Sequence, residues 1–184
     1  MVKHNCDRTT ALTLILPNEL HDTFNKIRNK YNRRRTRWMP HMNFIFPFVP
    51  REKFSDIKSR LSAALADFPK FEVRLNQLST FYQKQGYVTF HLTTDDHQRL
   101  DELFELVKTT LPEIPIKYPK FKAHLTLGEC RTCEFYTTIK SAVNSELAPI
   151  DYRFMIDSIY IIARSKENNK IPFNIVHTIQ LKGS

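Results

Sequence analysis

Two apolar stretches of the chain, 38–48 and 122–127, are each interrupted by a histidine that a short hydrogen-bonding side chain follows two positions later. The pairs are His41 with Asn43 and His124 with Thr126. Because successive side chains of a β-strand point to opposite faces, both members of each pair share one face. The pattern therefore predicts two strands that each present an imidazole beside a group suited to a phosphoryl oxygen.

The same spacing occurs at two other histidines, and the surrounding sequence separates them from this pair. His21 lies in a helical pattern, where residues two positions apart do not face each other. His91 lies in an apolar strand that runs directly into a helix-capping cluster, residues 94–96. We expect structural roles for His91 and His177, and solvent exposure for His4 and His97.

Strands and helices interleave along the remaining sequence. Strand-like runs cover 11–16, 71–81, 87–93, 154–164 and 173–181, and helical spacing covers 20–31, 54–65, 100–111 and 135–147. A strand, a helix and a histidine strand occur early, and a hairpin strand, a helix and a histidine strand recur later. This order predicts an α+β class and a duplicated, bilobal fold with two antiparallel sheets flanked by helices around a central cleft. We expect a single domain over residues 1–184.

The charge balance favours an anionic partner. Lysine and arginine number 28 against 19 acidic residues, a net charge of +9, which suits a nucleotide or nucleic acid or indicates a generally basic, soluble surface. The basic run 33–37 before the first histidine strand is either a solvated loop or a phosphate-steering element. No apolar run approaches the roughly 20 residues of a membrane span, and no signal peptide is evident, so we expect a cytoplasmic protein.

The cysteines indicate neither a disulfide framework nor a metal site. The chain has three, and an odd number without a secretion signal argues against structural disulfides. Cys130 and Cys133 have the spacing of half a zinc site, but no second pair completes four ligands. We predict no metal and no cofactor.

Once both histidine motifs are placed, the chain resembles the 2H (two-histidine) phosphoesterase superfamily, which includes 2′–5′ RNA ligase-like proteins and cyclic phosphodiesterases. The resemblance rests on residues 40–44, on residues 123–128 and on Pro172-Phe173 before the last strand. It implies that His41 and His124 form a catalytic acid–base pair, and that Asn43 and Thr126 hold phosphate oxygens. The first motif departs from the family, because Asn43 stands where most members have a hydroxyl residue. An amide N–H donates to phosphate as a hydroxyl does, so this departure bears on substrate preference.

Four further residues are candidates for contacts with substrate. Lys122 is expected to share the face of His124 and to contact phosphate. Arg164, at the end of its strand, is a further candidate for a phosphate contact. Phe81 and Tyr82 are candidates for stacking on a base.

The leading hypothesis is a metal-independent phosphodiesterase for 2′–5′ oligonucleotides, 2′–5′-containing cyclic dinucleotides or 2′,3′-cyclic phosphates. Viral members of the family make a role in immune evasion one option. The alternatives are an RNA-binding module with the same fold and no catalysis, and a metal-dependent nuclease. If His41 and His124 are only core histidines, the catalytic hypothesis fails. We expect a nucleotide or oligonucleotide partner, no membrane and no obligate protein partner.

Overall fold

The computed structural model describes residues 6–32, 35–116, 120–131, 135–168 and 170–183. Within them lie nine strands and four α-helices. In chain order these are β1 Thr10–Ile15, α1 Asn18–Tyr31, β2 His41–Ile45, α2 Phe54–Ala64, β3 Phe71–Leu75, β4 Gln77–Tyr82, β5 Tyr87–Thr93, α3 Gln98–Thr110, β6 Leu125–Arg131, α4 Phe135–Leu147, β7 Tyr152–Ile156, β8 Ser158–Ala163 and β9 Asn174–Gln180. Each strand and helix expected from the pattern has a counterpart here.

The first histidine strand belongs to a four-stranded sheet with the order β2-β1-β8-β9. All neighbours in it are antiparallel, and His41 pairs with Ile15 at the edge next to β1. The buried residues of β2 alternate with half-buried ones, so Met42 and Phe44 enter the core while His41 and Asn43 face outward. The alternation predicted from the sequence is confirmed for this strand.

The second histidine strand closes a three-stranded antiparallel sheet, β4-β5-β6. A third, two-stranded sheet pairs β3 with β7. The sequence predicted two sheets, and the difference arises because the run 71–82 is interrupted at Asn76, so that β3 and β4 pair with different partners. Residues 154–164 divide in the same way at Asp157, between β7 and β8. The α+β class with several antiparallel sheets and flanking helices is confirmed.

A strand–helix–strand unit occurs twice. In β1–α1–β2 and in β5–α3–β6, the two strands pair directly as antiparallel neighbours and the second strand carries or follows a histidine. The units meet where β2 contacts β6 and where α1 packs against β6. At the second contact, a Cβ added to Gly128 would lie 2.5 Å from Cβ of Tyr31 and 2.8 Å from its carbonyl oxygen. Only glycine allows this approach of β6 to α1.

Several sequence predictions concern residues outside the described ranges. They include His4, Arg33, Arg34 and Cys133. The rest of the basic run, Arg35–Arg37, forms a short 3-10 turn before β2. Helix α1 begins at Asn18, and Pro17 occupies the capping position before it. No helix in the described part of the chain is long and apolar enough to cross a membrane.

Candidate active site

The imidazole of His41 is held in one tautomer by its backbone. Its Nδ1–H donates a hydrogen bond of 2.7 Å to the carbonyl oxygen of Met39, since a carbonyl can only accept. Nε2 therefore carries the lone pair, and it accepts a hydrogen bond of 3.0 Å from the side-chain amide of Asn43. Oδ1 of Asn43 is buried and lacks a hydrogen-bond partner within the described residues. The predicted pair is therefore in direct contact, with the basic nitrogen of His41 turned toward Asn43.

An aromatic stack fixes the ring plane of His41. The Trp38 ring stacks on it with centroids 4.5 Å apart and planes 12° apart. Phe173 stacks on Trp38 at 3.8 Å, and the guanidinium of Arg164 lies 5.6 Å from the Phe173 centroid. Arg164 thus lies two rings away from the imidazole, in a cation–π contact. The expectation that Arg164 contacts phosphate gains no support from this placement, and Trp38 is a neighbour that the sequence reasoning missed.

A buried arginine lies near the same imidazole. Arg28 on α1 is only 2% exposed, and its guanidinium donates to the Trp38 carbonyl at 2.6 Å and to Oδ1 of Asn25 at 2.7 Å. Its Nε has no hydrogen-bond partner, and no carboxylate forms an ion pair with it, among the residues that the structure describes. Burial lowers the pKa of Arg28 to about 10. The guanidinium is still charged near neutral pH, so it adds positive potential beside His41.

The imidazole of His124 is anchored in the same way. It lies one residue before β6, and its Nδ1–H donates a hydrogen bond of 2.6 Å to the carbonyl oxygen of Lys122. Thr126 is half-buried and alternates with the buried Leu125 and Leu127, as the sequence predicted. In both motifs a histidine donates to the backbone two residues earlier and leaves Nε2 for chemistry. Lys122 contributes its backbone to this anchor, and its side chain is exposed.

A third histidine lies beside His124. His91 on β5 pairs across the sheet with Thr126 and is only 3% exposed. Its ring stacks on Phe81 at 3.9 Å and lies 5.6 Å from the His124 ring, which Phe81 also contacts edge-on at 5.1 Å. His91 is buried, as expected of a structural histidine, but it also borders the candidate site. In the sequence, the two-residue spacing between His91 and Thr93 was the signal that could have identified His91 as a neighbour of the site.

Tyr82 does not reach this group. It follows Phe81 on β4 and so points to the opposite face, where it is 72% exposed and lies 6.5 Å from the Tyr136 ring. The prediction that Tyr82 stacks on a base beside the histidines is corrected on this ground. Phe81 does lie beside the histidines, in contact with the rings of His91 and His124.

Burial lowers the pKa values of all three histidines, and neighbouring charges add to this effect for His41 and His91. Burial is the largest cause for His41, whose pKa falls to about 4, and the charges of Arg28 and His124 act in the same direction. The pKa of His91 also falls to about 4, through burial first and then through His124. Burial alone lowers the pKa of His124. The effect of His124 on the pKa of His41 places the His124 ring within electrostatic reach of His41 across the β2–β6 contact.

No group of three or more histidine, cysteine, aspartate or glutamate side chains is arranged to hold a metal ion in the described part of the chain. The arrangement instead offers two imidazoles whose Nδ1–H groups are held by the backbone, an amide that donates to Nε2 of His41, and a hydroxyl. Such a set can remove a proton from one oxygen, give a proton to another and bind phosphoryl oxygens.

Comparison with known proteins agrees with this geometry. Three solved structures share the fold: LigT of E. coli in complex with 3′-AMP (14% identity, TM-score 0.66, 95% of this chain and 98% of that one), TT0787 of Thermus thermophilus (16%, 0.64, 95% and 98%) and Usb1 of Kluyveromyces marxianus (10%, 0.56, 96% and 100%). At these identities the likeness shows the fold alone. No curated protein matches the chain in sequence. The family model of the 2′-5′ RNA ligase superfamily matches residues 16–168, which include both histidine motifs. The chain therefore belongs to the 2′-5′ RNA ligase superfamily, within the 2H phosphoesterases, and this membership supports phosphoesterase activity in general.

Proposed function

We propose that the chain is a metal-independent phosphodiesterase that cleaves 2′-linked phosphodiesters in nucleotides by two-histidine acid–base catalysis. Its substrates are 2′–5′ oligonucleotides, 2′–5′-containing cyclic dinucleotides or 2′,3′-cyclic phosphates. The net charge of +9 favours such anions. Crystals of the similarly folded LigT contain 3′-AMP, ATP or phosphate, which supports a nucleotide as the substrate of this chain.

The matched anchoring of the two imidazoles carries this proposal. Each Nδ1–H is engaged by the carbonyl two residues earlier, at 2.7 Å for His41 and 2.6 Å for His124. The two anchored imidazoles lie on, or directly before, two strands that contact each other. Fixing the tautomer in advance is what a proton-transferring imidazole requires, because the reactive Nε2 is then oriented before substrate binds.

We assign the roles from the surroundings of each imidazole. Burial and the charges of Arg28 and His124 lower the pKa of His41, which favours His41 as the neutral base. Burial lowers the pKa of His124 without a neighbouring cation, and a bound phosphate anion favours its protonated form, so we assign the acid to His124.

On a 2′–5′ linkage the attacking group is the adjacent 3′-hydroxyl and the leaving group is O5′. Nε2 of His41 removes the proton of the 3′-hydroxyl, O3′ bonds to phosphorus, and the bond from phosphorus to O5′ breaks. O5′ takes the proton from Nε2 of His124. The products are a 2′,3′-cyclic phosphate and a nucleoside with a free 5′-hydroxyl. On a cyclic phosphate, water replaces the 3′-hydroxyl as the nucleophile.

Asn43 and Thr126 bind the phosphoryl oxygens in this proposal. The amide of Asn43 suits both protonation states of His41, because it has a donor and an acceptor. With His41 neutral, Nδ2 donates to Nε2. Once Nε2 is protonated, half a turn of the amide lets Oδ1 accept from it and turns Nδ2 toward a phosphoryl oxygen. Lys122 adds positive charge beside His124.

A substrate panel tests the proposal. The chain is assayed in excess chelator on 2′–5′ and 3′–5′ dinucleotides and on 2′,3′-cyclic nucleotides, with products identified by mass. We expect cleavage of a 2′-linked substrate, undiminished by chelator, and a loss of about 10³-fold or more in kcat for His41→Ala and for His124→Ala. His177→Ala is the matched control, since His177 lies on β9 against Phe54.

Three results would overturn the proposal. Loss of activity in chelator favours a metal-dependent nuclease. RNA binding with steep salt dependence but no turnover of any substrate favours a binding module. Turnover that survives both histidine substitutions removes the catalytic role of the pair.

A further inference from the structure

A cavity of about 560 Å³ lies next to the His124 motif. Its floor consists of Ser79, Phe81, His91 and Thr93. Ser79 and Thr126 both pair with His91, so this floor is the same face of the β4-β5-β6 sheet that carries Thr126. Lys122 and Ala123, directly before His124, form one wall. The cavity is therefore continuous with the proposed catalytic groove on the His124 side, although neither His41 nor His124 lines it.

Two histidines, His91 and His97, line this cavity. The His91 ring interacts with the backbone of Thr89, two residues earlier. Nδ1 of His97 is buried without a hydrogen bond to any residue in the described ranges. His97 was expected to be exposed, but it is half-buried before α3. Buried polar atoms are almost always hydrogen-bonded in folded proteins, so an unpaired nitrogen on a residue that lines a cavity indicates a ligand that supplies its partner.

The remaining lining defines the chemistry of this ligand. Phe81, Phe104 and Phe121 offer apolar ring surface, and the rings of Phe104 and Phe121 stack on each other at 5.2 Å. The carboxylate of Asp101 adds an acceptor. Imidazoles donate or accept according to tautomer, whereas a carboxylate only accepts. The volume falls within the range of small-molecule sites, roughly 300–1,000 Å³. A planar aromatic ring with nitrogen acceptors and an amino donor matches all of these features.

We propose that this cavity is the subsite for the nucleobase of the leaving nucleoside, the one whose O5′ receives the proton of His124, and that it selects bases with an exocyclic amino group. The proposal rests on the proposed function for the direction of cleavage. The base lies against the Phe81 and His91 pair, Nδ1 of His97 bonds its ring edge, and Asp101 accepts from its amino group.

The first experiment compares two substrates that both carry a phosphodiester on the 2′-oxygen of adenosine but differ in the leaving group. One is 2′–5′ adenylyl-adenosine, and the other is adenosine 2′-(methyl phosphate), which has no leaving base. We expect His97→Ala and Asp101→Asn each to lower the ratio of kcat/KM between the two substrates about tenfold, the effect of one lost hydrogen bond. Glu102→Gln is the matched control, because Glu102 bonds Gln98 and Arg99 on α3 and does not line the cavity. It should leave the ratio within twofold. An unchanged ratio in both cavity variants overturns the proposal.

The second experiment does not depend on catalysis. Adenosine and inosine, which differ at the exocyclic amino group, are titrated into the protein while the ring signals of His91 and His97 are followed by NMR. We expect adenosine to shift both signals and inosine to bind about tenfold more weakly. If adenosine shifts neither signal, the cavity is not a base subsite, whether or not the enzyme cleaves 2′-linked phosphodiesters. Binding without cleavage would instead leave the subsite in place and reject the proposed reaction.

Discussion

The burial of His91 makes the stability of the fold depend on pH in a calculable way. Its pKa is about 4 in the folded protein, against 6.5 for an ordinary histidine. The difference is about 2.5 pKa units, and each unit corresponds to about 1.36 kcal/mol. At only 3% exposure, solvent screening reduces this little, so His91 contributes on the order of 3 kcal/mol.

The sign follows from which state binds the proton. Between pH 6.5 and 4 the unfolded chain protonates this imidazole and the folded protein does not. The stability is therefore fully present above pH 6.5 and is lost as the pH falls toward 4, by up to about 1.4 kcal/mol per pH unit. His41 has a similarly lowered pKa and adds a loss in the same window. The lowered pKa values of Asp7 and Asp151 act at lower pH, because their ordinary value is 3.8.

His91→Phe isolates this contribution, because it keeps a ring against Phe81 and removes the titrating nitrogens. The free energy of unfolding is measured by urea titration at pH 7.5, 6.0 and 5.0. Fluorescence of Trp38, the single tryptophan of the chain, reports the transition beside the candidate site. We expect the slope of unfolding free energy against pH to fall by about 1 kcal/mol per pH unit in the variant. The remaining slope belongs to His41 and His124, whose pKa values burial also lowers.

Parallel curves for the two proteins would refute this reasoning. They would mean that the imidazole is as easily protonated in the folded state as in the unfolded chain. An NMR titration of the folded protein gives an independent check, since the His91 ring signal should show its midpoint near pH 4. A midpoint near 6.5 would have the same consequence as parallel curves.

Three further substitutions have defined outcomes. Asn43→Thr should keep kcat within about tenfold of the wild type, whereas Asn43→Ala should lose about 10²-fold as a phosphoryl donor disappears; equal losses would contradict this role. Arg28→Leu should raise the pKa of His41 and so move the acid limb of the kcat/KM profile to higher pH; an unmoved limb would exclude Arg28 as an electrostatic neighbour. Gly128→Ala should lower the free energy of unfolding by about 1–3 kcal/mol in thermal denaturation, because its Cβ meets Tyr31; an unchanged melting temperature would contradict the close packing.

Local periodicity was sufficient to predict the histidine strands. The two-residue alternation from His41 to Phe44 is a property of the strand itself, and it holds because one face must enter the core. The strand order and the paired motif together predicted the fold class and the family. These signals are local or follow directly from chain order, so they are visible before any tertiary contact is known.

The residues that surround the two imidazoles were not predictable in the same way. In the sequence, Arg28 has the pattern of an ordinary basic residue on an amphipathic helix. Only the folded chain shows that it is buried and donates a hydrogen bond to the Trp38 carbonyl. His91 reads as a core histidine, because its distance to His124 depends on the register between β5 and β6. Tyr82 was misplaced because the adjacent Phe81 takes the inner face. In each case the missing information is a contact between segments distant in sequence.

The differences between the two motifs explain how a duplicated unit could supply opposite chemical roles. Both units place a histidine where its Nδ1–H meets the carbonyl two residues earlier, so the anchoring alone would give two equivalent imidazoles. The asymmetry comes from the neighbours. A buried cation and a stacked indole surround His41, whereas His124 faces a neutral imidazole and the cavity beside it. A buried cation disfavours protonation at His41 and not at His124, and this difference is the basis on which we propose His41 as the base and His124 as the acid.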